Sequence, residues 1–352
     1  MKIGMLTSGG DCQGLNAALR GVAKTLYNAA PDVEIVGIQD GYRGLIEADW
    51  RKMEPCEFSG ILRQGGTILG SSRQPFKQMQ AEEEDGTTKL SKMLRNYEKG
   101  KFDALAILGG NGTHKTAHLL SENGVNVVTL PKTIDNDIYG TELTFGFDSA
   151  VDKAAYVIDS IHTTAASHDR IFVVELMGHK VGWVALYAGI ASGADVILIP
   201  EIPYDVNCIE NALRRRQEQG KSFSIIAVAE GAYPASQVEM TKKERKLIGL
   251  SAGEQVAKVM TTLFGQDIRV TVPGHFQRGG DPTATDRVLC SRLGAAAGEL
   301  ILEKKFGVMV ALKNNAIVTV PLKKVVSRLK EIPMDSEILH QARLLGISFG
   351  DS

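Results

Sequence analysis

Short β-branched or apolar runs alternate with helix-period patterns along almost the whole chain, and this alternation limits the fold more than any other feature. Strands separated by helices cannot be joined by tight hairpins, so they pair in parallel, with helices covering the sheet. The series begins with strand KIGML, loop TSGGDCQG and helix LNAALRGVAKTLYNAA, followed by strands VEIVGI and FDALAIL. Loop GGNG leads into helix THKTAHLLSENG, for which Thr113 is the expected N-cap and Gly124 the residue past its end. Strand VNVVTL, a long helix near DSAVDKAAYVIDSIHTTAAS and strand RIFVVEL come next. Then follow helix VGWVALYAGIAS, strand DVILIP, helix NCIENALRRRQEQG and strand FSIIAVAEG. The series closes with helix AGEQVAKVMTTLFG, strand IRVTV, loop PGHFQRGGDPTATD and helix RVLCSRLGAAAGELILEKK. At 352 residues the chain exceeds one comfortable core, and two domains are expected.

A formal net charge of -1 with 23% charged residues gives no electrostatic ground for a nucleic-acid partner or an anionic membrane. No apolar run approaches the roughly 18 residues of a membrane span, and the start MKIGMLTSGG turns glycine-rich too early for a signal peptide. Cys12, Cys56, Cys208 and Cys290 are scattered, without zinc or disulfide spacing, which fits a reducing cytoplasm. The polar stretch 80–101 reads as an exposed connection plus a surface helix, and the arginines at 214–216 as a solvated helix face.

The chemistry concentrates at strand ends. LPKTIDNDIYGT (130–141) sets Asp135, Asn136 and Asp137 just after Lys132 and Thr133, where carboxylates suit a metal or a proton and the lysine suits a phosphate. TSGGDCQGLN (7–16), ILGGNGTHKT (107–116) and RQGGTILGSSRQP (63–75) are glycine-rich turns whose backbone N–H groups can approach phosphate oxygens. One such turn alone is often only a tight bend; three together point to phosphate. GGNGTHKT misses the P-loop because His114 stands where its second glycine belongs, and it lacks the third glycine of the dinucleotide fingerprint. In RVTVPGHFQRGGDPTATDR (269–287), Arg269, His275 and Arg278 form either an anion fork or pairs with Asp281 and Asp286. Arg170 and His179 bracket the strand in SHDRIFVVELMGHKVG. Cys12, at a helix start, reads as a small loop residue rather than an activated nucleophile.

Taken in order, TSGGDCQGLNAALRG, GGTILGSSR, GGNGT, PKTIDNDI, SHDRIFVVELMG, AEG and GHFQRGGDPTATDR resemble the phosphofructokinases, which phosphorylate fructose 6-phosphate at C1. The resemblance covers most of the chain. It implies two doubly wound, Rossmann-like α/β domains with the active site in the cleft between them. The expected division is 1–139 plus 255–305 for ATP, 140–254 plus 306–330 for fructose 6-phosphate, and a helical tail at 331–352. By the family pattern Asp135 is the general base, a role typically worth about 10²–10⁴ in rate, with Asp137 beside it. Thr133, Gly10 and Arg73 would meet the transferred phosphoryl group, and Gly109, Gly110, Asn111, Gly112, Thr113 and Lys132 the donor's phosphates. Arg170, Arg269, His275, Arg278 and His179 are the implied sugar-phosphate ligands, with Met177, Gly178 and Glu230 on the sugar. Mg²⁺ is the implied cofactor, held through Asn111 and Asp137. Family members form homotetramers or homodimers in which Arg170 and Arg269 reach a neighbouring subunit.

Two positions depart from the family pattern. Asn111 replaces the usual aspartate that serves the metal, and His179 replaces an arginine. Asn111 raises the alternative of a non-catalytic sugar-phosphate or nucleotide sensor. In the effector pocket Arg20 and Lys221 match the family, whereas Lys24 and His162 replace arginines, which implies altered regulation. For the donor, ATP users carry glycine at Gly112. Pyrophosphate users carry an aspartate there, which would repel an α-phosphate about 4 Å away by about 4 kcal/mol at an effective dielectric of 20. Lys132 also suits pyrophosphate. Because a missing obstacle is required for ATP and an extra cation serves either donor, ATP is the reading adopted. A lipid or NAD kinase shares the GGNGT-like loop but lacks PKTIDND and GHFQRGG.

Overall fold

The apolar runs fold as eleven strands: β1 (Lys2–Ser8), β2 (Glu34–Ile38), β3 (Trp50–Met53), β4 (Ala104–Gly109), β5 (Val127–Pro131), β6 (Ile171–Leu176), β7 (Val196–Leu198), β8 (Ser224–Ala229), β9 (Arg269–Thr271), β10 (Val308–Lys313) and β11 (Ala316–Pro321). They come from a computed structural model that describes residues 1–351. The chain divides into two units, Met1–Ser149 with Arg278–Lys330, and Ala150–Gln277 with Glu331 onward.

The first unit holds a seven-stranded sheet in the order β11-β10-β5-β4-β1-β2-β3. β2, β1, β4, β5 and β10 run parallel, and β3 and β11 close the two edges antiparallel. Every residue of β4 and β5 is buried, as expected of a sheet covered on both faces. The chain runs outward from β1 to β2, then returns to β4 and continues to β5 on the other side. The loops leaving β1 and β4 therefore diverge, and doubly wound sheets bind ligands at that reversal, beyond the carboxyl ends of the strands. Register brings three such ends level, with Ser8 beside Gly109 and Gly109 beside Pro131.

The second unit holds a four-stranded parallel sheet, β7-β8-β6-β9. Leu176 of β6 stands beside Ala229 of β8, so the loops beginning at Met177 and Glu230 leave the sheet together.

Several sequence expectations shift. Residues 306–330 do not join the smaller unit, because VMVALK and AIVTVP become β10 and β11 and extend the first sheet. Residues 255–277 leave the first unit, since β9 pairs with β6. Residues 140–149 stay with the first unit, and the tail is no separate element, because Ser348 bridges Val196 of β7. Thr113 is not a cap. The helix begins two residues earlier, at Asn111, with Gly110 before it, and Thr113 lies buried in its first turn. Among the arginines at 214–216, Arg214 and Arg215 are exposed as expected, whereas partly exposed Arg216 pairs with Asp195 at 2.8 Å. Among the described residues no helix is long and apolar enough to cross a membrane.

Helix Leu15–Ala29, which carries the first glycine loop, packs on helix Ala284–Leu302 at two facing glycines. A Cβ on Gly294 would stand 2.6 Å from the Ala18 carbonyl oxygen and 2.9 Å from Gly21 Cα. Neither contact is tolerable without moving backbone. Gly294→Ala is expected to cost about 1–3 kcal/mol in denaturant unfolding, as overpacked interfaces do, and an unchanged midpoint would contradict the close approach.

Candidate active site

The loop after β1 is built by ties from two distant segments. Gly9, at φ +91°, donates its N–H to the Ser72 carbonyl at 3.0 Å and accepts the Ser71 hydroxyl at 2.6 Å. Asn16 donates to the Gln64 and Gly65 carbonyls and accepts the Ile68 N–H, which fixes the glycine-rich stretch 63–75. Gln13 donates to the Gly279 carbonyl at 2.8 Å and holds the third cluster in place. Two arginines thereby flank Gly10. A Cβ added there would meet Arg278 Nη1 at 3.1 Å and Arg73 Nη2 at 3.5 Å. Arg278 Nη1 donates to the Asp11 carbonyl at 2.9 Å, and its Nε is buried with no hydrogen-bond partner. A cavity of about 430 Å³ opens here, lined by Gly9, Gly10, Asp11, Thr67, Ser71, Ser72 and Arg73. Glycine backbone beside two guanidinium groups suits a phosphoryl group.

The acidic stretch begins where β5 ends. Lys132, 3% exposed, donates its ammonium to the Gly10 carbonyl, and its backbone N–H bonds the Gly109 carbonyl at 3.0 Å. Burial, opposed by the charges of Asp135 and Asp11, holds its pKa below the usual lysine value. Thr133 Oγ1 accepts the Asp135 N–H at 3.1 Å, and the Thr133 carbonyl accepts the Thr144 hydroxyl at 2.7 Å. Carboxylate oxygens of Asp135 and Asp137 lie within 4.8 Å of each other.

Asp137 is buried, and its Oδ1 has no hydrogen-bond partner. Burial first, then the charge of Asp135, raises its carboxyl to about 6. Asn111, first residue of helix Asn111–Glu122, donates its amide to the Asp137 carbonyl at 3.3 Å. A buried, unpaired carboxylate oxygen beside a second carboxylate and an amide is a donor set that fits a hard divalent cation. Gly109 admits the helix, since a Cβ there would strike Thr113 at 2.3 Å. At the exposed Gly112, by contrast, nothing lies within 4 Å of a would-be Cβ.

In the second unit Glu230 Oε1 accepts the N–H groups of Gly178 and His179 at 3.2 and 2.7 Å, joining the ends of β6 and β8. Met177 is half-buried and His179 exposed, the latter with φ +58°. Arg170 precedes β6, and its carbonyl accepts the Ser224 N–H at 3.3 Å. Arg269, exposed, pairs with Asp267 at 2.6 Å, and His275 is exposed in the turn after β9.

The arginines of the third cluster do not pair with Asp281 or Asp286. Asp281 pairs with Arg63, and buried Asp286 instead accepts the Ser149 hydroxyl and the N–H groups of Gly146 and Ser149. Burial pushes the Cys12 thiol up to about 12, the reverse of an activated nucleophile. Sequence reasoning missed Lys330, whose ammonium bonds Asn136 Oδ1 at 2.7 Å. No spacing in the chain signals a partner 194 residues away.

Comparison with known proteins places the chain in a family. The phosphofructokinase family profile matches residues 2–301. An "ATP-dependent 6-phosphofructokinase" of Spirochaeta thermophila is 52% identical, with 99% of this chain and 97% of that protein aligned. The "ATP-dependent 6-phosphofructokinase 3" of Bacteroides thetaiotaomicron is 45% identical over 99% of this chain and all of its own. Among solved structures, phosphofructokinase from Pichia pastoris in the T-state superposes with a TM-score of 0.79 at 32% identity. It matches 93% of this chain, which spans only 35% of that longer protein. A pyrophosphate-dependent phosphofructokinase from Nitrosospira multiformis, 20% identical, shares the fold at a TM-score of 0.83, with 98% and 90% covered. The chain belongs to the phosphofructokinase family.

The raised Asp137 carboxyl carries a stability consequence with a definite sign. Below pH 3.8 the folded and unfolded states both hold the proton, and the shift has no effect. Between 3.8 and about 6 the unfolded chain releases the proton while burial makes the folded chain keep it, so stability falls across that window and levels off above it. In chelator, Asp137→Asn should therefore gain stability relative to the parent on going from pH 4 to pH 7, on the order of 2 kcal/mol. Urea unfolding at the two pH values measures it, and equal differences at both would contradict the shift.

Proposed function

We propose that this chain transfers the terminal phosphoryl group of ATP to the C1 hydroxyl of fructose 6-phosphate, giving fructose 1,6-bisphosphate and ADP in glycolysis. The observation that carries the reading is the carboxylate pair Asp135 and Asp137 at the end of β5, on the loop whose Lys132 bonds the Gly10 turn. The S. thermophila relative, matched nearly end to end, carries the same activity in its name.

The roles follow from the chemistry. Asp135 accepts the hydroxyl proton as the alkoxide oxygen attacks phosphorus, since a sugar alcohol is far too weak an acid to ionise at neutral pH. Thr133 and the Gly10 backbone bind the group in transfer, and Arg73 balances the charge spreading over its equatorial oxygens. Gly109, Gly110 and Thr113 set the helix start on the donor's phosphates. Asp137, with the Asn111 side chain, would hold Mg²⁺, which when bound neutralises phosphate charge. The amide lacks the charge of an aspartate, so a weaker hold on the ion is expected. Arg170, His179, Arg269, His275 and Arg278 are the residues assigned to the sugar phosphate. Met177, Gly178 and Glu230 serve the sugar. Assembly as a homo-oligomer, tetramer or dimer, in the cytoplasm completes the reading.

The donor assignment rests on Gly112 and Lys132 together. Open space at Gly112 leaves room for an α-phosphate and nucleoside. The Lys132 ammonium is buried and bonded to the Gly10 carbonyl, so it has work within the loop whichever donor binds.

Asp135→Ala is expected to lower kcat about 10²–10⁴-fold, with KM for both substrates nearly unchanged, in a coupled assay of fructose 1,6-bisphosphate. Turnover equal to the parent would refute the base. Gly112→Asp should fold normally, because nothing lies within 4 Å of a Cβ there, yet lose activity with ATP. Faster turnover of the parent with pyrophosphate than with ATP would reverse the donor assignment.

A further inference from the structure

We infer that Lys330 is a positioning residue for phosphoryl transfer, acting through Asn136 to hold the two site carboxylates in place. The inference rests on the reading above for what the loop does, and on geometry for how the loop is held.

Asn136 is the single residue between Asp135 and Asp137, and it sits at φ +52°, a left-handed conformation that side chains other than glycine enter at a cost. Its side chain is buried, and its Oδ1 accepts the Thr144 N–H at 3.0 Å and the Lys330 ammonium at 2.7 Å. The same ammonium donates to the Glu142 carbonyl at 2.7 Å and the Thr141 carbonyl at 3.1 Å. Three acceptors on one loop thus match the three protons of a lysine. The backbone repeats the tie, for Lys330 N–H donates to the Asp137 carbonyl at 2.9 Å and Leu329 bridges Ile138 antiparallel.

The carboxylates on either side repel each other and lie beyond the end of β5 at Pro131. Their spacing is set by the one left-handed residue between them. Fixing that residue from its side chain fixes both neighbours, and misplacing a reacting group by about 1 Å can cost roughly 10²-fold. A residue that served only to anchor the chain after β11 would need its backbone bonds alone.

The test uses the full-length protein as parent, Lys330→Met, Lys330→Arg, Asn136→Ala and the double variant Lys330→Met with Asn136→Ala. Lys330→Met is expected to lower kcat about 10–100-fold while KM for ATP and fructose 6-phosphate stays within about threefold. Lys330→Arg should recover part of that loss. Adding Lys330→Met to Asn136→Ala should cost less than about twofold more, because the two act in series. Hydrogen exchange of amides 133–144 should quicken in Lys330→Met while those of β1 and β4 hold. A kcat within about twofold of the parent, or losses that multiply in the double variant, overturns the inference. Should Lys330→Met fail to fold, the same comparison runs through Lys330→Arg and Asn136→Ala. Absence of turnover in the parent itself would count against the proposed reaction, and exchange alone would then decide, with unchanged protection of 133–144 refuting the clamp.

Discussion

Everything at the candidate site follows from three parallel strands that end level with one another. β1, β4 and β5 stop at Ser8, Gly109 and Pro131 in adjacent register. A parallel sheet puts all carboxyl ends on one side, and the reversal of winding between β1 and β4 parts the loops there. Backbone that no longer has a neighbouring strand must find other partners. Gly9 finds Ser71 and Ser72, Lys132 finds Gly109 and Gly10, and Thr133 finds Asp135 and Thr144. The site is assembled from these substitutions for a sheet ladder.

Its electrostatics set a buried ammonium and two guanidinium groups near carboxylates, one of them raised by burial. Cations crowd the Gly10 turn, with buried Lys132 below normal basicity and the Arg278 Nε unpaired. A few residues along the chain, Asp137 is driven up by burial and by Asp135. Both features are costly, since charges are taken from water without full compensation. Asp286 shows the contrasting, purely architectural use of a buried carboxylate. Raised to about 6 by burial, it accepts hydrogen bonds on both oxygens, from Gly146 and Ser149.

Most of the fold was legible because hydrophobic period and glycine punctuation are local. The runs KIGML, FDALAIL and VNVVTL became β1, β4 and β5, with glycine turns after the first two. Legibility ended where pairing over long distances decided the outcome. Residues 306–330 were expected in the smaller domain, and only the pairing of VMVALK and AIVTVP with β5 and each other assigned them to the first sheet. Thr113 looked like a cap by type, but its methyl and hydroxyl were taken by the close approach of Gly109 and by the Ser8 carbonyl. The arginine at 278 was readable as an anion ligand; that it would stand against Gly10 was not.

The sequence by itself determined an alternating α/β chain, the glycine turns, and the acidic triplet with its lysine, because each depends on residues close in the chain and on their chemical type. Tertiary structure alone decided how the chain divides, which cations meet the Gly10 turn, and that Lys330 grips Asn136 from 194 residues away. The reason is physical. Local propensity fixes what a segment can become, whereas burial and hydrogen bonding between distant segments fix where its side chains go, and no short-range pattern encodes a partner that only the folded chain brings near.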